Sequence, residues 1–256
     1  LKLPAFAPRR CRQTHSIRFH GRDRYVRHLQ AAARARGRAG GGALPSGWES
    51  YFTRPSYDNT PMHGTVIDVT NRSELLSALG SNRTVRLADG EYGGSILSID
   101  NHTNLEILAT NKHGATFTDV RATGAGGADN NIHVTNCTNV TLKGLTCDGG
   151  RFYSVSFGGR GFSPNGPNQD CTIEWCRLTN GKQSALKVDN GHNSAGAFAG
   201  TPTMNMTVRF CDIDTMAQSS EYTEFNEGIY IGSGTDGQQY QNRVLGITLH
   251  RNIWDG

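Results

Sequence analysis

Three residues hold the same place in three short apolar segments. They are Ser156 in Val155-Ser156-Phe157, Lys187 in Leu186-Lys187-Val188 and Tyr230 in Ile229-Tyr230-Ile231. Side chains alternate along a strand, so the apolar residues share one face and Ser156, Lys187 and Tyr230 share the other, outward one. Lysine, tyrosine and the nearby His192 can hold and move protons. Together they suit β-elimination beside a carboxylate. That reaction needs a cation to neutralise the carboxylate, a base for the carbon-bound proton and an acid for the leaving oxygen. Lys187 would be the base if its pKa were lowered, and Tyr230 or His192 the acid. Ser156, Asp189, Tyr222 and Glu227 flank the same face as substrate contacts. Asp189, Glu221 and Glu227 could supply oxygen ligands to Ca2+. The plain alternative is a solvated strand face, on which Lys187 and Asp189 make an ordinary ion pair.

The elements that would position these residues recur along the chain. Leu97 to Ile107 (LSIDNHTNLEI) matches Ile132 to Leu142 (IHVTNCTNVTL) at an offset of 35, with Asn101 on Asn136, Thr103 on Thr138 and Asn104 on Asn139. Apolar and polar residues alternate on both sides of the turn, which is strand periodicity. Thr141-Leu142, Thr172-Ile173, Thr207-Val208 and Thr248-Leu249 each open a further short strand. The strands bearing Ser156 and Lys187 follow two of these threonines after the same interval. The third interval carries an insert, and that insert holds Tyr222, Glu224 and Phe225. Repeats of this length, with turns rich in Gly, Asn and Asp, predict stacked coils of a parallel β-helix. A β-sandwich would give short strands without requiring the repeated Asn-x-Thr-Asn turn.

With these residues in place, the chain resembles the right-handed parallel β-helix proteins, the pectin-lyase-like superfamily. The resemblance also rests on Val66 to Val69 leading into a helix over Asn71 to Leu79, with Asn71 or Ser73 as N-cap. TVRLADGEY (Thr84 to Tyr92) and NEGIYIGSG (Asn226 to Gly234) carry it further. It implies an all-β solenoid with a short N-terminal capping helix over residues 46–256. It also implies a secreted or cell-surface, monomeric, carbohydrate-active protein. The elimination chemistry then points to a polysaccharide lyase on uronic-acid polymers. The Asp-Asp pair of the polygalacturonases and the Trp-Ile-Asp-His-like segment of the pectate lyases are absent. ALKVD (Ala185 to Asp189) is faintly similar to the lysine-bearing strand of chondroitinase- and alginate-type lyases. Because one fold hosts many activities, a noncatalytic glycan-binding or adhesin-like module is the alternative.

Charge divides the chain. The formal net charge is +4, yet residues 1–40 hold Lys2 and ten arginines against Asp23 alone. The body beyond is therefore net acidic. Residues 1–45 read as a basic, disordered tail joined through Gly40-Gly41-Gly42, and nucleic acid is a partner only through that tail. No run of 18 apolar residues occurs, so no helix is expected to span a membrane. The chain starts at Leu1, and its last repeat, ITLHRNIWDG, carries no cap. Further coils are therefore expected beyond Gly256, with an unseen signal peptide before the start. Five of six cysteines lie in the body. Cys176 and Cys211 each fall four residues after a repeat threonine, with Asn252 in the same place, so they should stack. Either a Cys176–Cys211 bridge or a reduced cysteine ladder fits. Cys137, Cys147 and Cys171 leave a second bridge open. The cysteine spacing makes no zinc site. Asn-x-Ser/Thr sequons occur at Asn71, Asn82, Asn101, Asn136, Asn139 and Asn205; those at 101, 136 and 139 belong to the repeated turn.

Overall fold

The alternating segments form parallel strands. A computed structural model describes residues 54–118, 130–150, 153–158, 168–181, 184–188, 203–214, 227–231, 244–250 and 253–255. Numbered in chain order, the strands make three sheets, and every pairing is parallel. The first sheet holds β1 (Val66–Val69), β2 (Arg83–Leu87), β5 (Thr103–Ala109), β8 (Thr138–Lys143), β11 (Thr172–Glu174), β14 (Thr203–Arg209) and β17 (Val244–His250). The second holds β4 (Leu97–Asp100), β7 (Asn130–Thr135), β10 (Tyr153–Phe157), β13 (Ser184–Val188) and β16 (Glu227–Ile231). The third holds β3 (Gly90–Glu91), β6 (Ala115–Thr118), β9 (Thr146–Asp148), β12 (Arg177–Thr179), β15 (Asp212–Asp214) and β18 (Ile253–Asp255). From β4 onward the chain visits the second, first and third sheets in unbroken rotation.

The repeat threonines align as expected, Thr141 on Thr172, Thr207 and Thr248. Beside them Val85, Ile107, Leu142, Ile173 and Val208 form an inward column, each essentially without solvent exposure. Ile132, Val155 and Leu186 make its counterpart on the second sheet, and Phe117, Cys147, Leu178 and Ile213 on the third. Each column runs from strand to strand across its sheet, so the burial of one residue depends on register partners in the neighbouring strands. Full burial of each such side chain contributes about 1.5–3 kcal/mol. The single helix among the described residues, α1 (Arg72–Ala78), packs Leu75 and Ala78 on the start of the stack. Asn71 caps it by accepting from the Glu74 amide at 3.0 Å, which decides between the two candidate caps.

The turns explain the asparagines. Asn82, Asn104, Asn139, Asp170 and Asn205 all take φ near +55° and follow one another along the corner. Asparagine tolerates this left-handed backbone because its short amide can bond locally. Here the amides bond along the stack instead. Asn104 Nδ2 donates to Asn82 Oδ1 at 2.9 Å, Asn139 Nδ2 to Asn104 Oδ1 at 2.7 Å, and Asn205 Nδ2 to Asp170 Oδ1 at 2.9 Å. Asn101 and Asn136 form a second such pair around Asp100. All six sequon asparagines thus have structural positions, five in left-handed turns and Asn71 at the helix cap. Asn104→Ala removes two ladder bonds and strains the turn. It should cost about 1–2 kcal/mol. Urea denaturation measures this, and Asn104→Gly should recover the strain component only.

A feature with no periodic signature ties the circuits together lengthwise. Residues 54–63 cross the outer face of the first sheet without pairing as a strand. Arg54 donates to Asp212 Oδ1 at 2.6 Å and to the Cys211 carbonyl at 2.8 Å. Tyr57 OH donates to the Ala109 carbonyl, and Asn59 Nδ2 to that of Thr110. The Met62 amide reaches Glu106 Oε2 at 2.7 Å, and the His63 amide reaches Thr84 Oγ1. The Tyr57 ring fills the space over Gly144, whose φ is +74° and where a Cβ would collide with the tyrosine. It also packs edge-on against Trp175, which stacks on Phe210 at 4.8 Å between centroids. Burial raises the Tyr57 hydroxyl well above the ordinary tyrosine range. Tyr57→Ala should lower stability by about 2 kcal/mol, from lost packing and one hydrogen bond. Tyr57→Phe should cost about 1 kcal/mol in the same denaturation experiment.

Beneath this strap lie the buried charges of Glu106, Lys143 and Glu174. Lys143, Glu174 and Arg209 are register partners on β8, β11 and β14. Glu174 Oε1 is 3.2 Å from Lys143 Nζ, and Glu174 Oε2 is 2.6 Å from the Arg209 guanidinium. Glu106 is fully buried; its Oε2 accepts from Thr84 Oγ1 at 2.8 Å as well as from Met62.

Candidate active site

The strand alternation that buries Val155 and Phe157 puts Ser156 on the opposite side of β10, and the same holds for Lys187 on β13. Parallel register then aligns Ser156 with Lys187 and Lys187 with Tyr230. Neighbours in such a column stand about 4.8 Å apart. The column extends backwards to His133 on β7 and Ser98 on β4. A histidine therefore precedes the serine, the lysine and the tyrosine.

Ser98 is exposed, but from β7 to β13 the outward side is far less exposed than a solvated strand face. Ser156 is 1% exposed, His133 4% and Lys187 7%. The imidazole Nε2 of His133 lies 2.6 Å from the Gly158 carbonyl oxygen. A carbonyl can only accept, so Nε2 carries the proton and donates. Lys187 Nζ sits 5.2 Å from the centroid of the Tyr153 ring, a cation–π distance. Two residues before His133, Asn131 Nδ2 donates to the carbonyls of Phe117 and Asp148 and so links the second sheet to the third. Asn130 Oδ1 is buried without a hydrogen-bond partner. The arrangement gathers groups able to take and give protons in a place shielded from water.

The expected residues fall in different places. Ser156, Lys187 and Tyr230 share one register position, while Glu227 begins β16 opposite Ser184. For Tyr230 and Glu227 the backbone alone is described. His192, Asp189 and Tyr222, and with them Glu221, lie outside the described residues. Among the described residues no group of three or more His, Cys, Asp or Glu could hold a metal ion. No helix among them is long and apolar enough to cross a membrane. His133 was the residue the sequence reading passed over. The signal was present, because Ile132-His133-Val134 has the pattern that singled out Lys187 in Leu186-Lys187-Val188.

The five described cysteines are buried. Burial pushes the Cys137 thiol up to about 11 and the Cys171 thiol up to about 12, so neither suits a nucleophilic role.

The chain matches no protein-family model, no curated protein and no solved structure.

Proposed function

We propose that the three parallel sheets form a right-handed parallel β-helix of the pectin-lyase-like kind, and that the protein is a secreted or surface lyase of uronic-acid polysaccharides. One observation carries this reading: the in-register column of Ser156, Lys187 and Tyr230 on the second sheet. In the reaction Lys187, as the free amine, takes the proton from the carbon beside the uronate carboxylate. Tyr230 gives a proton to the departing glycosidic oxygen as the carbon–oxygen bond breaks. Ser156 contacts the sugar, and Glu227, Asp189 and Tyr222 stand in reserve as further substrate contacts, with His192 as a second proton donor. A site holding Ca2+ through Asp189, Glu221 and Glu227 would offset the carboxylate charge. Incubation with pectate, alginate and chondroitin tests the proposal. The expected result is new ultraviolet absorbance from an unsaturated uronate with at least one polymer; none with any of them counts against it.

The burial of Ser156 and Lys187 limits a polymer's access to either side chain, which favours a second reading in which the column does no chemistry: a noncatalytic glycan-binding or adhesin-like module that binds elsewhere on its surface. On that reading no polymer is cut, and substitutions at Lys187 or Tyr230 weaken binding at most.

A further inference from the structure

Cys176 and Cys211 immediately precede β12 and β15, whose register pairs Arg177 with Asp212. The Asp212 amide donates to the Cys176 carbonyl at 2.9 Å. The two cysteines therefore stand directly opposite each other on adjacent circuits. A separation of about 4.8 Å between neighbouring strands lies within the range of Cα distances that disulfides span. Both side chains point into the core, 1% and 0% exposed, and the Cys176 Sγ reaches the Glu174 carbonyl at 3.5 Å while the Cys211 Sγ reaches the register-equivalent Arg209 carbonyl at 3.4 Å. Both residues sit in the corner between strands, where the Asp212 amide holds the Cys176 carbonyl and Arg54 holds that of Cys211. The remaining described cysteines lack this arrangement. The pairing of Thr141 with Thr172 sets Val140, and not Cys137, opposite Cys171, and Cys147 faces Leu178.

We propose that Cys176 and Cys211 are a disulfide site, closed by a small-molecule disulfide such as oxidised glutathione while the chain is folding. One cysteine thiolate attacks the glutathione disulfide and releases one glutathione. The second thiolate then attacks the mixed disulfide and releases the other. Two thiol protons and two electrons leave the protein, and one oxidised glutathione becomes two reduced molecules. The timing follows from burial. Exchange needs a thiolate that the oxidant can reach. In the folded chain Cys211 is enclosed, and its thiol is held well above its ordinary value by desolvation and by the adjacent Cys176. The folded protein should therefore keep whichever redox form it acquired on folding.

The test uses the full chain, unfolded and reduced, then refolded either in a mixture of oxidised and reduced glutathione or in excess reductant. The oxidatively refolded protein should be lighter by about 2 Da and should yield a non-reduced peptide joining Cys176 to Cys211. It should melt on the order of 5 °C above the reduced form. Cys211→Ser refolded in the same mixture should show neither change. Reduced protein that is already folded should stay reduced when given the same mixture. An unchanged mass after oxidative refolding, or a link through any other cysteine, overturns the site. Oxidation of the folded protein as fast as the unfolded chain overturns the timing.

Discussion

Replacing Lys187 with alanine is expected to lower the rate of polymer cleavage by about 10²–10⁴-fold, the range spanned by single proton-transfer catalysts. Lys187 is the one amine in the described part of the column; Ser156 beside it offers no comparable base, and His133 lies one strand further away. If Lys187 takes the proton only as the transition state forms, kcat should fall while KM changes little. The side chain is 7% exposed and its amine lies over Tyr153, so truncation also removes packing. Lys187→Met separates the two effects, because it keeps much of the stem and removes only the amine. Kinetics and thermal denaturation of both variants decide the matter. Loss of activity in Lys187→Met with the melting temperature preserved supports a chemical role. Full activity in Lys187→Met excludes Lys187 as the base.

Replacing Glu174 with alanine is expected to destabilise the protein by about 3–5 kcal/mol. Its carboxylate stands between two cations, and its side chain is 6% exposed, against 8% for Lys143. Arg209 reaches solvent at 44% and would be rehydrated on losing its partner. Lys143 would not, so the variant leaves an ammonium buried without its carboxylate. That uncompensated charge sets the magnitude, since the intact pair itself is worth far less than its breakage costs. The companion measurement is the double variant Glu174→Leu with Lys143→Met, which removes both charges. It should recover most of the loss in urea denaturation. A double variant as unstable as Glu174→Ala would place the cost in packing and not in charge.

The parts of the fold that repeat were legible, and the parts that do not repeat were hidden. Thr141, Thr172, Thr207 and Thr248 announced the register because parallel strands in register set like residues side by side. The helix after Val69 was legible through its two candidate caps, Asn71 and Ser73, of which the structure uses Asn71. The strap over residues 54–63 was not, because it is held by single side chains and amides with no period of its own. With the strap unseen, nothing in the alternation of β8 and β11 indicated that Lys143 and Glu174 would be buried. The left-handed turns at Trp175 and Phe210 were equally hidden, since bulky side chains seldom take positive φ. Here Tyr57, Trp175 and Phe210 pack against one another at that corner. The column of the candidate site was readable as alternation, but its burial depends on what lies over the second sheet. A pattern of two along a strand tells which side a residue faces, not what covers that side.

Cleavage of pectate, alginate and chondroitin in water enriched in oxygen-18, with the products analysed by mass spectrometry, tests the central claim most directly. Elimination breaks the glycosidic bond without adding water. The account predicts fragments with an unsaturated uronate at the new non-reducing end and no heavy oxygen incorporated during cleavage. Saturated fragments carrying the label would mean hydrolysis, and intact polymer in every case would mean a binding module; either result contradicts the assignment of the Ser156–Lys187–Tyr230 column as a lyase site.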